Sequence, residues 1–261
     1  LVQDGQYEIA VNHLAKAVEL GDRDGKNYGL MAFCYLSSDN LLAAETAYRN
    51  AVVQEPQTKD WKVGLAQTLL MQERYREARA ILGKLIQDAP ATPDYWLLQA
   101  NAYVAEDRPL DAAVNLEIVR AMDGADIATL RLLGDIYFNL NLPGQALDVY
   151  KTIITKDDSK ENLPAAMRAA DLLIRYDAVD FAEQIIAVIR NKYGSELTRK
   201  EDLQLLTSSA RIARARGNSE EAAALLESIV ERDGTAGDAL LELAKHYAST
   251  GQYEKAAMKF G

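Results

Sequence analysis

The 261-residue sequence has one cysteine, Cys34, so no disulfide can form within it and the redox compartment is left open. Histidine is nearly as scarce. His13 and His246 stand at opposite ends of the chain and cannot share one metal, so no metal site is expected. There is no Asn-x-Ser/Thr acceptor, and no apolar run approaches the roughly 18 residues of a membrane span. Gly-rich phosphate loops, zinc-ligand spacings and nucleophile elbows are all missing, so neither a cofactor nor an active site is expected. Positive charge is in deficit. Lys and Arg number 29 against 39 Asp and Glu, and the net charge of −10 repels phosphate backbones and argues against nucleic acid as a partner. The acids are spread along the chain with no run that reads as a disordered tail.

Aromatics make up only 7% of residues, and β-branched clusters such as Thr152-Ile153-Ile154-Thr155 are few. Good helix formers (Ala, Leu, Glu and Arg) are abundant, and 49% of residues are apolar, enough for a sizeable core in an all-α chain. The organising signal is a 34-residue period. Ala10, Ala44, Ala78, Ala112 and Ala146 fall in register at that spacing, and Ala182, Ala222 and Ala256 follow after 36, 40 and 34.

With this alanine numbered 20, position 8 holds Ala32, Ala66, Ala100, Gly134, Ala170, Ala210 and Ala244. Position 11 holds Tyr35, Leu69, Tyr103, Tyr137, Leu173, Ala213 and Tyr247, and position 24 runs from Leu14 through Tyr48, Leu82, Leu116, Tyr150, Ile186 and Leu226 to Phe260. Positions 4, 7, 8 and 11 form one face of a first helix, and 20, 24 and 27 form the facing stripe of a second. Small residues at 8 and 20 let the pair approach closely. Turn-compatible residues separate the two helices, as in Asp4-Gly5, Asn141-Leu142-Pro143 and Gly217-Asn218. Pro56, Pro90, Gly124, Gly194 and Gly234 end the second helices, Thr92-Pro93 reads as a cap with Pro at the first helical position, and Thr198-x-x-Glu201 has capping-box spacing.

This pattern resembles the tetratricopeptide repeat family, most closely from Lys26 to Pro90. The resemblance implies a right-handed superhelical solenoid of antiparallel helix-turn-helix repeats. One array of seven to eight hairpins is expected over 1–261, the first and last incomplete, with Leu1 already at position 11. The open ends imply continuation in both directions and leave room for self-association. Lys62 and Ala166 at position 4 depart from the pattern and suggest an altered tilt between hairpins. Two further irregularities interrupt the period: two extra residues near Ser159–Leu163 and six in 191–202, the latter a tolerated insertion, a hinge or a partner-specific edge.

The remaining chemistry is structural. Cys34 is expected to be a buried inert thiol, and Glu220-Glu221 to favour a helix N-terminus rather than form a catalytic pair. Function therefore falls to the outward face of the first helices, positions 2, 5, 9, 12 and 13, which in the family lines a concave groove. Early in the chain that face is apolar, with Leu30, Phe33, Leu36, Val63, Leu70, Met71, Leu97 and Val104 around the polar amides of Gln67 and Asn101. Either it holds an amphipathic helix or an apolar peptide, or a neighbouring segment covers it.

Later the face carries Arg131, Asp135, Asn139, Arg168, Asp171, Arg175, Arg211 and Arg214. The i,i+4 pairs Arg131–Asp135 and Asp171–Arg175 could account for much of this charge. Arg211 and Arg214 have no acid at helical spacing and are candidates for an acidic peptide or a C-terminal carboxylate, or for a bridge to Asp171. The clamp residues of chaperone-tail binders do not match, because Leu97 and Leu132 occupy clamp positions. The asparagine ladder of glycosyltransferase-linked arrays is missing at position 6 as well. The expectation is a soluble, non-enzymatic, bacterial scaffold for another protein's peptide or amphipathic helix, cytoplasmic or periplasmic. The alternative is a regulatory or substrate-presenting region of a larger enzyme.

Overall fold

The computed structural model describes Val2, 5–156 and 159–260, with side chains to residue 258. Leu1, Asp4 and the Phe260 side chain, which carry parts of the register above, lie outside the described residues. The described residues form fifteen α-helices and two 3-10 turns, with no strand among them. They divide into two compact units, Leu1–Asp126 and Ile127–Gly261. The first contains α1 (Tyr7–Glu19), α2 (Gly25–Ser37), α3 (Leu41–Gln54), α4 (Lys59–Met71), α5 (Tyr75–Asp88), α6 (Pro93–Ala105) and α7 (Pro109–Ala121). The second contains α8 (Ile127–Asn139), α9 (Pro143–Lys156), α10 (Leu163–Arg175), α11 (Val179–Tyr193), α12 (Arg199–Ala215), α13 (Ser219–Arg232), α14 (Gly237–Ser249) and α15 (Tyr253–Phe260). Within each unit successive helices pack as antiparallel hairpins, and α2–α4, α4–α6 and α10–α12 bring first helices into mutual contact.

The small-residue columns are the hairpin seams. Ala32, Ala44, Ala66, Ala78, Ala100 and Ala112 in the first unit are fully buried, as are Ala146 and Ala182 in the second. Large side chains at position 24 require matching space opposite. Tyr48 lies where a Cβ on Gly64 would stand 2.2 Å from the ring, and Tyr150 lies 2.6 Å from a Cβ built on Gly134. Lys62 at position 4 is compensated by its neighbour, because the Trp61 ring lies back on Gly29 and its Nε1 donates to Glu55 at 3.0 Å.

Each hairpin turns on position 15, held in the left-handed region: Gly5, Asp39, Glu73, Asp107, Asn141, Asp177, Gly217 and Gly251 all have φ between 56° and 79°. The next residue's N–H donates to the carbonyl of position 11, as Asn40 to Tyr35, Arg108 to Tyr103 and Asn218 to Ala213. That bond satisfies a carbonyl which the helix end would otherwise orphan. Asp, Asn and Gly suit this conformation, and Glu73 is the one residue outside that set.

The two irregularities of the period meet in space. Ser159 caps a 3-10 turn, Lys160–Asn162, while α11 runs on to Tyr193 and a second 3-10 turn, Gly194–Glu196, leads into α12. Lys160 Nζ reaches the Glu196 carbonyl at 2.6 Å and Glu201 at 2.9 Å, and the Tyr193 hydroxyl donates to Ser159 O at 3.3 Å. The Thr198/Glu201 capping box forms as its spacing requires, and α12 begins four residues ahead of position 1. Thr92 occupies the cap before Pro93, but its side chain makes no capping bond.

Candidate functional site

Burial narrows the outward face of the first helices. Positions 2 and 13 are exposed in all seven, and position 9 is exposed or half-buried, while Leu36 and Leu70 at position 12 pack against their own hairpin cores. In the first unit Phe33, Met71 and Val104 are 43%, 52% and 40% exposed, so each of α2, α4 and α6 leaves one large apolar side chain uncovered. Gln67 and Asn101 are exposed between them; Leu30, Val63 and Leu97 are half-buried. Phe33 is steadied edge-on by Tyr7, with ring centroids 6.1 Å apart.

In the second unit the same face is charged, and its ions pair between hairpins rather than along one helix. Asp135 accepts from Tyr150 Oη at 3.0 Å and from Arg168 Nη2 at 3.1 Å. Asp171 accepts from Ser208 Oγ at 3.2 Å and Arg211 Nη1 at 3.1 Å, and Arg214 pairs forward with Glu242 at 2.7 Å. Arg131 turns to Asn162 Oδ1 at 3.2 Å instead of Asp135. The i,i+4 pairs expected for Arg131 and Arg175 are absent among the described residues, and Arg175 and Asn139 are exposed. The physical reason is reach: guanidinium groups at positions 6 and 9 of one first helix span to the carboxylate of the preceding one, where a bond also ties two hairpins.

An open groove runs along α12. A cavity of about 690 Å³ is bounded by Asp171, Lys200, Gln204, Thr207 and Arg211. It is flanked by cavities of about 430 Å³ beside Arg168 and about 470 Å³ beside Arg214 and Lys245. Sequence reasoning found Arg168, Arg211 and Arg214 but missed Lys200 and Arg199, which lie in the inserted turn and outside the repeat numbering. The available signal was two cations in the first turn of a helix, where the macrodipole disfavours them.

The remaining reactive types are placed structurally. Cys34 is fully buried, and burial pushes its thiol pKa up, away from the reactive thiolate. His13 is exposed and His246 half-buried. No group of three or more His, Cys, Asp or Glu that could hold a metal occurs among the described residues, and no helix among them is long and apolar enough to cross a membrane.

The tetratricopeptide repeat family model matches residues 40–102 and 213–257, one stretch in each unit. Among solved structures, the C-terminal part of a tetratricopeptide repeat-containing protein from Cytophaga hutchinsonii is similar at 12% identity, with 92% of this chain and 96% of that one covered and a TM-score of 0.64. A tetratricopeptide repeat protein from Parabacteroides merdae is 15% identical over 90% of each chain, with a TM-score of 0.54. MamA of Desulfovibrio magneticus is 16% identical over 59% of this chain and 86% of its own, with a TM-score of 0.55. No curated protein matches by sequence. These matches and the hairpin geometry show an all-α fold of tetratricopeptide-type helical hairpins, with the family model itself matched over 40–102 and 213–257.

Proposed function

We propose that this protein is a non-enzymatic scaffold that holds a peptide segment of another protein against its first helices. The observation that carries the reading is the open groove along α12, about 690 Å³, where the polar side chains of Asp171, Gln204, Thr207 and Arg211 stand beside the core residues Leu203, Ile229 and Ala236. In the second unit Asp135, Asn139, Arg168, Arg175, Arg211 and Arg214 supply polar contacts. In the first, Leu30, Phe33 and Met71 would take the apolar side of a partner helix, with Gln67 and Asn101 as hydrogen-bonding groups. The fold supports the scaffold role in general, because hairpins packed at positions 8, 20 and 24 leave a continuous outer face for recognition.

The test starts from peptides selected on the wild-type protein out of a random library. Thr207 is exposed and lines the groove, so Thr207→Trp fills it without entering the core. Peptides held there should bind at least about tenfold more weakly to that variant, with the melting temperature unchanged. Peptides held on the first unit should respond to Phe33→Asp with Met71→Asp instead. Selected peptides indifferent to both variants would overturn the assignment.

A further inference from the structure

The six-residue insertion before α12 builds a basic wall that no other hairpin has. The other six first helices begin at position 1 of the repeat, whereas α12 begins at Arg199, one turn earlier. That extra turn brings Arg199 and Lys200 into the lining of the 690 Å³ cavity together with Asp171 and Asp233, with Arg211 farther along the same helix.

The carboxylates of this cavity are already engaged. Asp171 accepts from Ser208 and Arg211. Asp233 accepts from Thr235 Oγ1 at 2.6 Å and Thr235 N at 3.0 Å, and these bonds, with the charge of Arg199, hold its carboxyl below the usual range. Arg211 donates from Nη1 alone, leaving the rest of its guanidinium for another acceptor. Arg199 and Lys200 make no close salt bridge and no side-chain hydrogen bond among the described residues, although the Arg199 charge is near enough to Asp233 to help hold that carboxyl down.

Helix formation does not account for these two cations. The capping box is complete without them, since Thr198 and Glu201 satisfy each other and Lys160 neutralises Glu201. Positive charge in a first turn opposes the helix dipole, so the fold is, if anything, slightly weakened by them. They sit in a chain of net charge −10, on a groove that continues past Arg214 and Lys245. Farther along, Arg214 is paired with Glu242, and Lys245 lines the same cavity as Asp238. Arg199, Lys200 and Arg211 are therefore the cations that a segment in the main cavity would meet, a cluster that suits side-chain carboxylates.

We infer that the inserted turn, through Arg199 and Lys200 with Arg211 behind them, makes this cavity a reader of side-chain carboxylates, so that the partner segment is acidic. The inference rests on the scaffold reading above and names the partner's chemistry.

The probes are the selected peptides of the α12 groove, acetylated and amidated so that only side-chain carboxylates remain, each paired with a copy whose Asp and Glu are replaced by Asn and Gln. Fluorescence anisotropy on wild-type protein should show the acidic member binding roughly tenfold tighter. Arg199→Glu with Lys200→Glu should abolish that preference, while Arg199→Lys with Lys200→Arg keeps it. Both new glutamates suit a helix N-terminus, so helicity and melting temperature hold. Thr207→Trp weakens acidic and amide peptides alike, which separates loss of the groove from loss of charge reading. Equal binding of the two members to wild-type protein, or a preference that survives charge reversal, would overturn the inference while leaving the groove standing. An RNA oligonucleotide that outcompetes the acidic peptides would overturn it as well.

Discussion

In the first unit, position 9 of the first helices holds Phe33, Gln67 and Asn101, with Met71 at position 13. In the second, position 9 holds Asp135, Asp171, Arg211 and Lys245, with Asn139 and Arg175 at 13. Behind these faces the seams are alike, alanine against alanine under Tyr, Leu or Ile. The units also share a stitch on the other side, where position 21 of a second helix meets the turn of the following hairpin. Glu45 pairs with Arg74, Arg79 with Glu106 and Glu183 with Arg216, so the polarity reverses while the geometry stays. The outward face is the part free to change, because substituting it leaves every seam intact. Packing and recognition are thus carried by different residues of the same helix.

If the seams are equivalent, overpacking either should cost the same. Ala112→Leu in the first unit and Ala182→Leu in the second each add three carbons to a fully buried contact. Each should lose roughly 1–3 kcal/mol in denaturant unfolding. A full-stability Ala182→Leu beside a damaged Ala112→Leu would break the equivalence and with it the common register.

The hairpins were legible in the sequence because alanine at a close helix contact has no substitute of similar size except glycine or serine, so its column survives drift elsewhere. α2, α4, α6, α8, α10 and α14 each start on position 1 of that register. The left-handed position 15 was only partly legible. Asp, Asn and Gly also mark ordinary turns, and Glu73 hides the column although it adopts the same φ of 60°. Pairing on the second unit's face was not legible at all. Helical spacing sees acids three or four residues away, whereas Asp135 and Arg168 lie 33 apart and Asp171 and Arg211 lie 40 apart. The insertions were visible as breaks in the period, but their mutual bond through Lys160 and Glu201, 41 residues apart, was not.

The second unit alone carries that bonded insertion, and its acid response should show it. Hydrogen bonds from Lys160 and then from the Thr198 backbone pull the Glu201 carboxyl down to about 2, from an ordinary 4.5. A depressed folded value means the stabilisation is complete above the unfolded value and is lost as the pH falls through the folded one. Glu201→Gln should therefore cost about 1 kcal/mol at pH 7, the worth of a helix cap. The gap from wild type should close as the pH drops from 4.5 towards 2. A gap of the same size at both ends of that window would assign Glu201 a packing role instead.

The smallest effect concerns the charged face itself. Arg168 and Asp135 are 58% and 43% exposed, so solvent screens their attraction, and long side chains lose rotamer freedom when held together. A double-mutant cycle of Asp135→Asn and Arg168→Ala should give a coupling of about 0.2–1 kcal/mol. It should fade between low salt and roughly 0.5 M, where the screening length falls below the Debye length of about 8 Å at physiological ionic strength. The corresponding pair in the first unit, Phe33 with Tyr7, is an aromatic contact and should keep its coupling over the same salt range. Coupling at Asp135–Arg168 that does not respond to salt would mean that the Tyr150 hydroxyl, not the guanidinium, holds the carboxylate. The second unit's face would then be built on hydrogen bonds, and the contrast between the units would be one of polarity rather than charge.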